Sequence, residues 1–323
     1  MKLLLLQQKN KFMKKVIVTG GLGQVGSHIT EYLLDRGDVV VVIDNLETGR
    51  REHLDEKNKN LKVFICDVSD KEQINNIFLD FKPDTVVHAA GSYKDPDDWY
   101  TDALTNCVGG ANIIKASMNS EVKRFIYFQT ALCYGVKPLQ QPISLDHPKY
   151  PANSSYAITK TANEDFLEIS GLDYVTFRLA NCIGPRNVSG PLPIFYNRIK
   201  NRKKCFVTEA RRDFVHVKDL AKCSLLAIDG KGSGTYHFSS GKDIAIKELY
   251  DAVVKEMKIN DYPEPEIKQL GEDEAPSILL DPQKTFNDFG ELKFSSLEEI
   301  VSDAISYYDK FGVLGEFTHL KQK

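Results

Sequence analysis

A tyrosine and a lysine four residues apart are the pair in this sequence whose types and spacing fit acid–base chemistry. Tyr156 and Lys160 lie in the run 154–160, which predicts the first turns of a helix. Positions i and i+4 of a helix share one face, with Cβ atoms roughly 5–6 Å apart. An ammonium group that close to a phenol can lower the phenol pKa from ~10 towards neutrality, which would suit a general acid or base acting on a hydroxyl. Alone the pair is weak, because such pairs also occur by chance.

A glycine-rich turn near the start of the chain indicates a nucleotide site. Residues 14–19 are a β-branched run that predicts a strand, and the run ends in Gly20-Gly21-Leu22-Gly23-Gln24-Val25-Gly26. Glycines in this pattern permit a tight turn, admit a pyrophosphate to the backbone and let the next helix pack against the strand. We expect that helix to end at Gly37 and its positive N-terminal end to hold the pyrophosphate of a dinucleotide.

An acidic residue at the end of the next predicted strand favours NAD over NADP. The strand, 39–43, is apolar throughout and is followed by Asp44. That spacing from the glycines is the one at which a carboxylate binds the adenosine ribose 2′-OH and repels a 2′-phosphate. Arg50 and Arg51 follow closely and leave some room for NADP, although two arginines in a surface loop are the simpler interpretation.

Alternating strands and helices predict an α/β fold with a doubly wound parallel sheet of the Rossmann type. Further strands are predicted at 61–65, 85–88 and 124–129, and helices at 70–80 and 97–118. Ligands bind at the carboxyl ends of such strands. Those ends carry the glycine turn, Asp44, Asp67, His88 and Thr130, and the small residues Ala89-Ala90-Gly91 would let a cofactor lie against the backbone.

We divide the chain into an N-terminal extension, a dinucleotide-binding domain and a smaller mixed α/β domain that binds the substrate. The extension is 1–13, the NAD-binding domain is 14–180 plus part of 212–240, and the substrate domain is 181–211 plus 241–323. The basic stretch 196–204 is expected to be a solvated helix face, with a phosphate-facing role as the alternative. Helices are expected within 242–258 and 296–310, and the Pro-, Glu- and Asp-rich residues 260–281 are expected on the surface.

Composition narrows the function classes. The 323 residues carry a net charge of −3, so a polyanionic partner such as nucleic acid is not expected. The apolar runs are too short for a membrane span or a signal-peptide core. We expect a cytoplasmic protein without a metal, because its six cysteines are scattered and form no metal-binding pattern: Cys66, Cys107, Cys133, Cys182, Cys205 and Cys223.

Together the motifs resemble a known family. They are Thr19-Gly20-x-x-Gly23-x-x-Gly26, Asp44-Asn45-Leu46, Asp67-Val68, His88-Ala89-Ala90-Gly91, Thr130-x-x-x-Tyr134-Gly135, Tyr156-x-x-x-Lys160, Arg178-x-x-Asn181-x-x-Gly184-Pro185-Arg186 and Arg212-Asp213-Phe214-x-x-Val217-x-Asp219-Leu220. Over about residues 14–310, the chain resembles the extended short-chain dehydrogenases/reductases of the NAD-dependent nucleotide-sugar epimerase/dehydratase family. It looks most like bacterial epimerase-like proteins of O-antigen and surface-polysaccharide synthesis.

The resemblance implies a role for each matching residue. Tyr156 would be the catalytic acid/base, Lys160 would lower its pKa and bind the nicotinamide ribose, and Thr130 would hydrogen-bond the sugar O4. Asn181 and Arg212 would contact the substrate diphosphate. The implied NAD-binding residues are Gly20, Gly23, Gln24, Val25, Gly26, Asp44, Asn45, Asp67, Val68, Ala89, Ala90, Tyr156 and Lys160. The implied reaction removes a proton and a hydride at C4 of a UDP-sugar and returns the hydride to the opposite face of a transient 4-keto sugar.

The residues after Thr130 favour an epimerase over a dehydratase. Dehydratases that this chain resembles carry an Asp-Glu pair there, whereas this sequence has Ala131 and Leu132, which cannot transfer protons. A missing proton-transfer group costs about 100- to 10,000-fold in rate for each step. Epimerisation at C4 needs only Tyr156 and Thr130.

One departure leaves the substrate open. Family members usually carry a phosphate-binding arginine near the acidic C-terminal segment, but this chain has none after Arg212, and Lys268 would be an imperfect replacement. Tyr93 and Lys94 are expected at the sugar pocket, where they would contact hydroxyls or a carboxylate; a loop packed by Trp99 is the alternative. A 2-acetamido hexose or its uronic acid is our expected sugar, on the resemblance alone.

Two other interpretations remain open at this point. The chain could be another enzyme on the same scaffold, such as a reductase, a dehydrogenase, a dehydratase or a 3,5-epimerase-type relative, which would consume or release nicotinamide. It could also be a non-catalytic NAD-binding protein, although Tyr156 and Lys160 are both present. The resemblance also implies a homodimer, formed through a four-helix bundle of the helices that contain Asn106 and Tyr156.

Overall fold

A seven-stranded parallel sheet dominates the fold. In the computed structural model, the described residues are 13–151, 154–259, 261–271, 274–315 and 317. The strands of the sheet are β1 (Lys15–Thr19), β2 (Val39–Asp44), β3 (Leu61–Ile65), β4 (Thr85–His88), β5 (Arg124–Thr130), β6 (Tyr174–Leu179) and β11 (Gly234–Phe238). Their order is β11-β6-β5-β4-β1-β2-β3, which contains the Rossmann order 3-2-1-4-5-6. The predicted doubly wound α/β fold is therefore confirmed.

Helices cover both faces of this sheet because its strands are apolar on both sides. They are α1 (Gln24–Arg36), α2 (Lys71–Phe81), α3 (Trp99–Asp102), α4 (Gly110–Asn119), α5 (Ser155–Glu168) and α7 (Val217–Ile228). A π-helical segment, Ala103–Gly109, joins α3 to α4. One apolar core packs α1 and α7 against one face of the sheet, and a second packs α2 and α4 against the other.

Short strands and four helices form the remaining part of the fold. Its elements are β7 (Asn181–Ile183), α6 (Pro191–Lys200), β8 (Phe206–Thr208), β9 (Arg211–Arg212), β10 (Phe214–His216), β12 (Ile244–Ala245), α8 (Ile246–Glu256), β13 (Glu266–Lys268), β14 (Ser277–Ile278), α9 (Gln283–Phe289) and α10 (Leu297–Phe311). Helices α6, α8 and α10 share a separate apolar core. Helix α9 instead packs on β11 through Phe289.

The structure corrects one expectation and leaves another outside its range. Residues 260–281 do not lie entirely on the surface, because β14 pairs with β9 and buries Ala275, Ile278 and Leu280. The predicted N-terminal extension, 1–13, lies outside the described residues apart from Met13. Among the helices described, none is both long enough and apolar enough to cross a membrane.

Candidate active site

The glycine turn between β1 and α1 is built so that the backbone can be approached closely. Gly20 has φ of +63°, and a Cβ atom there would lie 2.7 Å from the backbone nitrogen of Ala90. A Cβ atom at Gly26 would lie 2.2 Å from the carbonyl oxygen of Gly20. Helix α1 begins at Gln24, and no side chain caps its first N–H groups. These residues form a cradle of backbone N–H groups that fits a pyrophosphate.

Asp44 stands at the end of β2 with its carboxylate fixed by the backbone. The N–H groups of Leu22 and Leu46 each donate to it at 2.9 Å. Burial raises the pKa of Asp44, and these two hydrogen bonds oppose the rise. A buried carboxylate beside the glycine turn suits the hydroxyls of a ribose.

The polar side chains that follow Asp44 in the sequence are paired with other groups of the protein. Asn45 donates to Asp67 at 2.7 Å. Arg51 forms an ion pair with Glu56, and Arg50 donates to the carbonyl of Phe311 at 3.0 Å. The two arginines that left room for a 2′-phosphate thus bind protein groups in this structure.

Small residues continue the cradle past the end of β4. The N–H groups of Ala89 and Ala90 donate to the carbonyl and the hydroxyl of Thr19, at 3.1 and 3.3 Å. Asn106 accepts from the Ser92 N–H at 2.9 Å and donates to the Ser92 carbonyl at 3.1 Å. The backbone beside the cradle is therefore held in one position by Asn106. Val68, at the other side, packs against Gly109, where a Cβ atom would lie 2.4 Å from the Val68 side chain.

Lys160 is buried where the cradle meets α5. Only 5% of the residue is exposed, and its Nζ lies 4.2 Å from the centroid of the Tyr127 ring. A Cβ atom at Gly91 would be 3.9 Å from the same Nζ. Burial lowers the pKa of Lys160 to about 7, although the carboxylate of Glu164 acts in the opposite direction.

The pKa of the Tyr156 phenol differs from the expectation. Burial raises the pKa of its phenol, and Tyr93 and Asp102 raise it further. The Tyr93 ring packs edge-on against it, with 6.4 Å between the centroids. The lowering expected from Lys160 is not found, because desolvation of the phenol dominates and the same desolvation removes charge from the lysine.

Thr130 ends β5 next to an apolar turn. Its N–H donates to Gln129 at 2.8 Å, and its hydroxyl accepts from the Leu132 N–H at 3.2 Å. The residues that follow, Ala131 and Leu132, pack in an apolar cluster with Cys133 and Tyr134. No carboxylate stands at the two positions where a dehydratase would need one.

Tyr93 and Lys94 turn towards the loop after β2. Tyr93 is hydrogen-bonded to Thr48, and Lys94 forms an ion pair with Glu47. The Lys94 Nζ also lies 5.0 Å from the centroid of the Phe317 ring. Because β1 lies between β4 and β2, these contacts pass over the carboxyl end of β1, at the glycine turn.

Arg212, on β9, is held by backbone carbonyls. Its Nη1 donates to the carbonyls of Arg211 and Ala275, at 2.8 and 2.7 Å, and its Nη2 is 3.9 Å from Glu274. Burial lowers its pKa, and Glu274 opposes this. Asn181 is placed next to this group because its N–H donates to the Asp213 carbonyl at 2.9 Å. Lys268 instead lies over the Phe206 ring, with its Nζ 4.2 Å from the centroid.

Comparison with known proteins agrees with this geometry. Residues 16–238 match the model of the NAD dependent epimerase/dehydratase family. The chain belongs to this family. The match spans the cradle, Asp44, Thr130, Tyr156, Lys160 and Arg212, so the predicted family and the use of NAD as cofactor are confirmed.

Three relatives of this chain are informative. The enzyme WbmH of Bordetella bronchiseptica, solved in complex with NAD+, is 62% identical with a TM-score of 0.91, over 94% of this chain and 100% of that one. The enzyme WbmG of the same organism, solved with NAD and UDP, is 40% identical with a TM-score of 0.86, over 96% and 98%. A UDP-glucose 4-epimerase of Halalkalibacterium halodurans is 30% identical over 91% of this chain and 95% of its own length.

Two features of the site were not predicted from the sequence. Asn106 was predicted only to lie on a helix, and its stretch of the sequence holds several other polar residues, so nothing local marks it as buried. The buried ion pair between Glu164 and Arg178, which ties α5 to β6, gave no local signal because its partners are 14 residues apart. Arg178 also donates to the Tyr134 hydroxyl, so the pair fixes α5 against the end of β5.

Proposed function

We propose that this protein is an NAD-dependent 4-epimerase of a nucleotide sugar, with UDP as the carrier. One observation carries the proposal: Thr130 and Tyr156 are present, but apolar Ala131 and Leu132 follow Thr130. A dehydratase needs acid–base groups at those two positions to remove the C5 proton and expel water. Inversion at C4 needs one proton-transfer group and one hydrogen-bond donor at O4, which the chain retains.

We assign each step to groups of this chain. Tyr156 takes the proton from the 4-OH of the sugar and later returns it, while Thr130 hydrogen-bonds O4. When bound, NAD supplies the hydride acceptor and donor for C4. Lys160, beside Gly91, binds the nicotinamide ribose, and Asp44 binds the adenosine ribose. The pKa of Lys160 is about 7, so this lysine can lose its proton near neutral pH.

We assign the substrate diphosphate to Arg212 and Asn181. The Arg212 guanidinium is fixed by two carbonyls and its side chain is 13% exposed, so its charge is oriented before a ligand arrives. Glu274 lies 3.9 Å away and would repel a second anion unless it turns aside. The UDP carrier is supported by relatives named as UDP-glucose 4-epimerases.

The identity of the sugar is a more specific proposal. We infer a 2-acetamido hexose or its uronic acid, used in surface-polysaccharide precursor synthesis, from the family resemblance. Tyr93 packs on Tyr156 and is the residue best placed to touch the sugar. Lys94 could bind a sugar carboxylate only by leaving Glu47, with which it is paired.

We further propose that two copies of the chain pair through α5 and the helix that runs from α3 to α4. These helices pack side by side in one protomer, and each exposes apolar side chains. The exposed residues are Val108, Met118, Ile158 and Phe166. Apolar residues exposed along two adjacent helices are typical of a bundle completed by a second copy.

The deciding experiment incubates the purified protein, with no added cofactor, with UDP-GlcNAc, UDP-GalNAc, UDP-Glc, UDP-Gal and the corresponding uronic acids. Proton NMR follows the sugars, and absorbance follows NADH. We expect one C4 pair to interconvert without net formation of NADH. Net NADH formation would indicate a dehydrogenase, and loss of the C6 hydroxyl would indicate a dehydratase; either result would overturn the proposal.

A matched pair of variants then tests the role of Tyr156. Tyr156→Phe removes the phenol and is expected to lower kcat by at least about 100-fold while NAD stays bound. Tyr100→Phe makes the same change at a residue that is 75% exposed, and it should retain wild-type activity. A Tyr156→Phe enzyme with wild-type kcat would remove this tyrosine from the mechanism.

A further inference from the structure

Asp102 is a buried carboxylate next to the proposed catalytic tyrosine that the reaction scheme above does not use. It ends α3 and is only 1% exposed. No ion pair of Asp102 occurs among the described residues, and its Oδ1 has no hydrogen-bond partner there. A buried carboxylate without a cation is costly, so its retention needs a reason.

The contacts of Asp102 join the two segments that frame the site. It is hydrogen-bonded to Ser92, in the loop after β4, and to Ser155, the residue before Tyr156. Asn106, about one turn further along the same continuous helix, holds the backbone of Ser92. The two side chains therefore hold one loop from one helix, and both also reach α5: Asn106 donates to the Thr159 hydroxyl at 3.1 Å, and Asp102 contacts Ser155 at the start of that helix.

The charge of Asp102 also acts on the phenol. Burial raises the pKa of Asp102, and the Ser92 and Ser155 hydrogen bonds oppose the rise. Asp102 is in turn one of the groups that raise the pKa of Tyr156. A carboxyl group ionises well before a phenol does, so Asp102 is an anion over the pH range in which Tyr156 titrates.

We propose that Asp102 is a positioning residue that holds Tyr156 against the Ser92 loop and places a negative charge beside its phenol. The inference rests on the proposed role of Tyr156 as the proton-transfer group. A stronger base holds the O4 proton more firmly while the sugar is in its 4-keto form. The same charge raises the pH at which the free enzyme becomes active.

Other titratable groups face this pair and must be considered in any pH profile. From the described part of the chain they are Tyr93, Asp95, Asp98, Tyr127 and Lys160. Asp95 and Asp98 act on Asp102, whereas Tyr93 acts on Tyr156. Asp98 caps α3 by accepting from the Thr101 N–H and is exposed, so it provides a control for loss of an acidic side chain on the same helix.

The test replaces Asp102 by Asn in the NAD-loaded enzyme, which removes the charge, keeps the size and retains one acceptor oxygen. Two quantities are measured against pH: kcat/KM, and the phenolate absorbance of Tyr156, isolated by subtracting the same protein with Tyr156→Phe. We expect both midpoints to move to lower pH by about 1 unit, since a neighbouring like charge shifts a pKa by this order. Asp98→Asn should leave both midpoints unchanged.

Each outcome decides. A fall in kcat/KM by the same factor at every pH, with neither midpoint moved, would show a purely structural role and overturn the inference. If Asp102→Asn moves the phenolate midpoint but the wild-type enzyme converts none of the UDP-sugars, the inference is supported and the proposed function is rejected. If Asp102→Asn does not fold, Asp102→Ser is neutral and smaller, and it carries the same expected shift; an unmoved phenolate midpoint in it would overturn the inference.

Discussion

Replacing Lys160 by Met is expected to stabilise the nucleotide-free protein near neutral pH. Lys160 is almost fully buried, and burial lowers its pKa to about 7. A charge held there is destabilising because it has lost its hydration. Met matches the length of the lysine stem without the charge. Retention of Lys160 at this cost in stability agrees with the cofactor-binding role proposed above.

The magnitude and its pH dependence follow from the two pKa values. The folded-state value of about 7 lies below the ordinary 10.5. The difference of roughly 3.5 pH units corresponds to about 5 kcal/mol. Between these values the unfolded chain binds more protons than the folded one, so this group makes stability rise with pH. The penalty is complete below pH ~7 and disappears above pH ~10.5. Loss of the cation–π contact with Tyr127 offsets about 1–2 kcal/mol, which leaves a net gain of about 3 kcal/mol at pH 6–7.

The assay is urea unfolding of both proteins from pH 6 to pH 10, after removal of bound nucleotide. Bound NAD would stabilise the wild type selectively, so its absence is checked by the ratio of absorbance at the nucleotide and protein maxima. We expect the difference in unfolding free energy to shrink steadily as the pH rises from 7 to 10. A difference that stays constant with pH, or a variant less stable than the wild type at pH 6, would refute a neutralised, desolvated lysine.

Two further predictions concern the cofactor and the assembly. Gly26→Ala should lower NAD affinity by at least roughly 100-fold, because its Cβ would lie 2.2 Å from the Gly20 carbonyl oxygen. Gly271→Ala, with open space around it, is the control. The affinities are measured by NAD titration of the nucleotide-free proteins. Ile158→Asp should convert a dimer to a monomer in sedimentation experiments, whereas Leu79→Asp, on another exposed helix face, should not; an unchanged mass for the Ile158 variant would place the interface elsewhere.

Local sequence signals predicted much of the sheet and the cofactor cradle. Strands 61–65 and 85–88 match β3 and β4. The apolar run of β4 is buried throughout, whereas β3 forms the edge of the sheet and is only partly buried. Gly20 and Asp44 are recognisable because their positions are fixed by the βαβ unit to which they belong. Such features depend on neighbours close in sequence.

Features that depend on distant contacts could not be predicted in this way. The ionisation of Tyr156 is controlled by how deeply the fold buries it and by Tyr93 and Asp102, both more than 50 positions away. The short run 278–280 looked like surface because its flanks are acidic and Pro-rich. It is partly buried because β9 provides a partner for β14, a pairing over more than 60 residues.

In the proposed epimerisation the sugar must turn within the site while the groups around it stay in place, and the contacts of Arg186 bear on how this is achieved. Arg186, in the turn after β7, binds Glu31 through both terminal nitrogens at 2.8 Å and the Ser27 hydroxyl at 2.9 Å. A bidentate arginine–carboxylate contact restricts relative rotation more than a single contact does. It joins the segment that begins at Asn181 to α1, the helix whose first turn completes the cradle. A diphosphate held by Asn181 and a cofactor held by the cradle would therefore keep a fixed separation. We infer that, in the proposed epimerisation, the sugar turns by rotation about the bonds of the substrate itself.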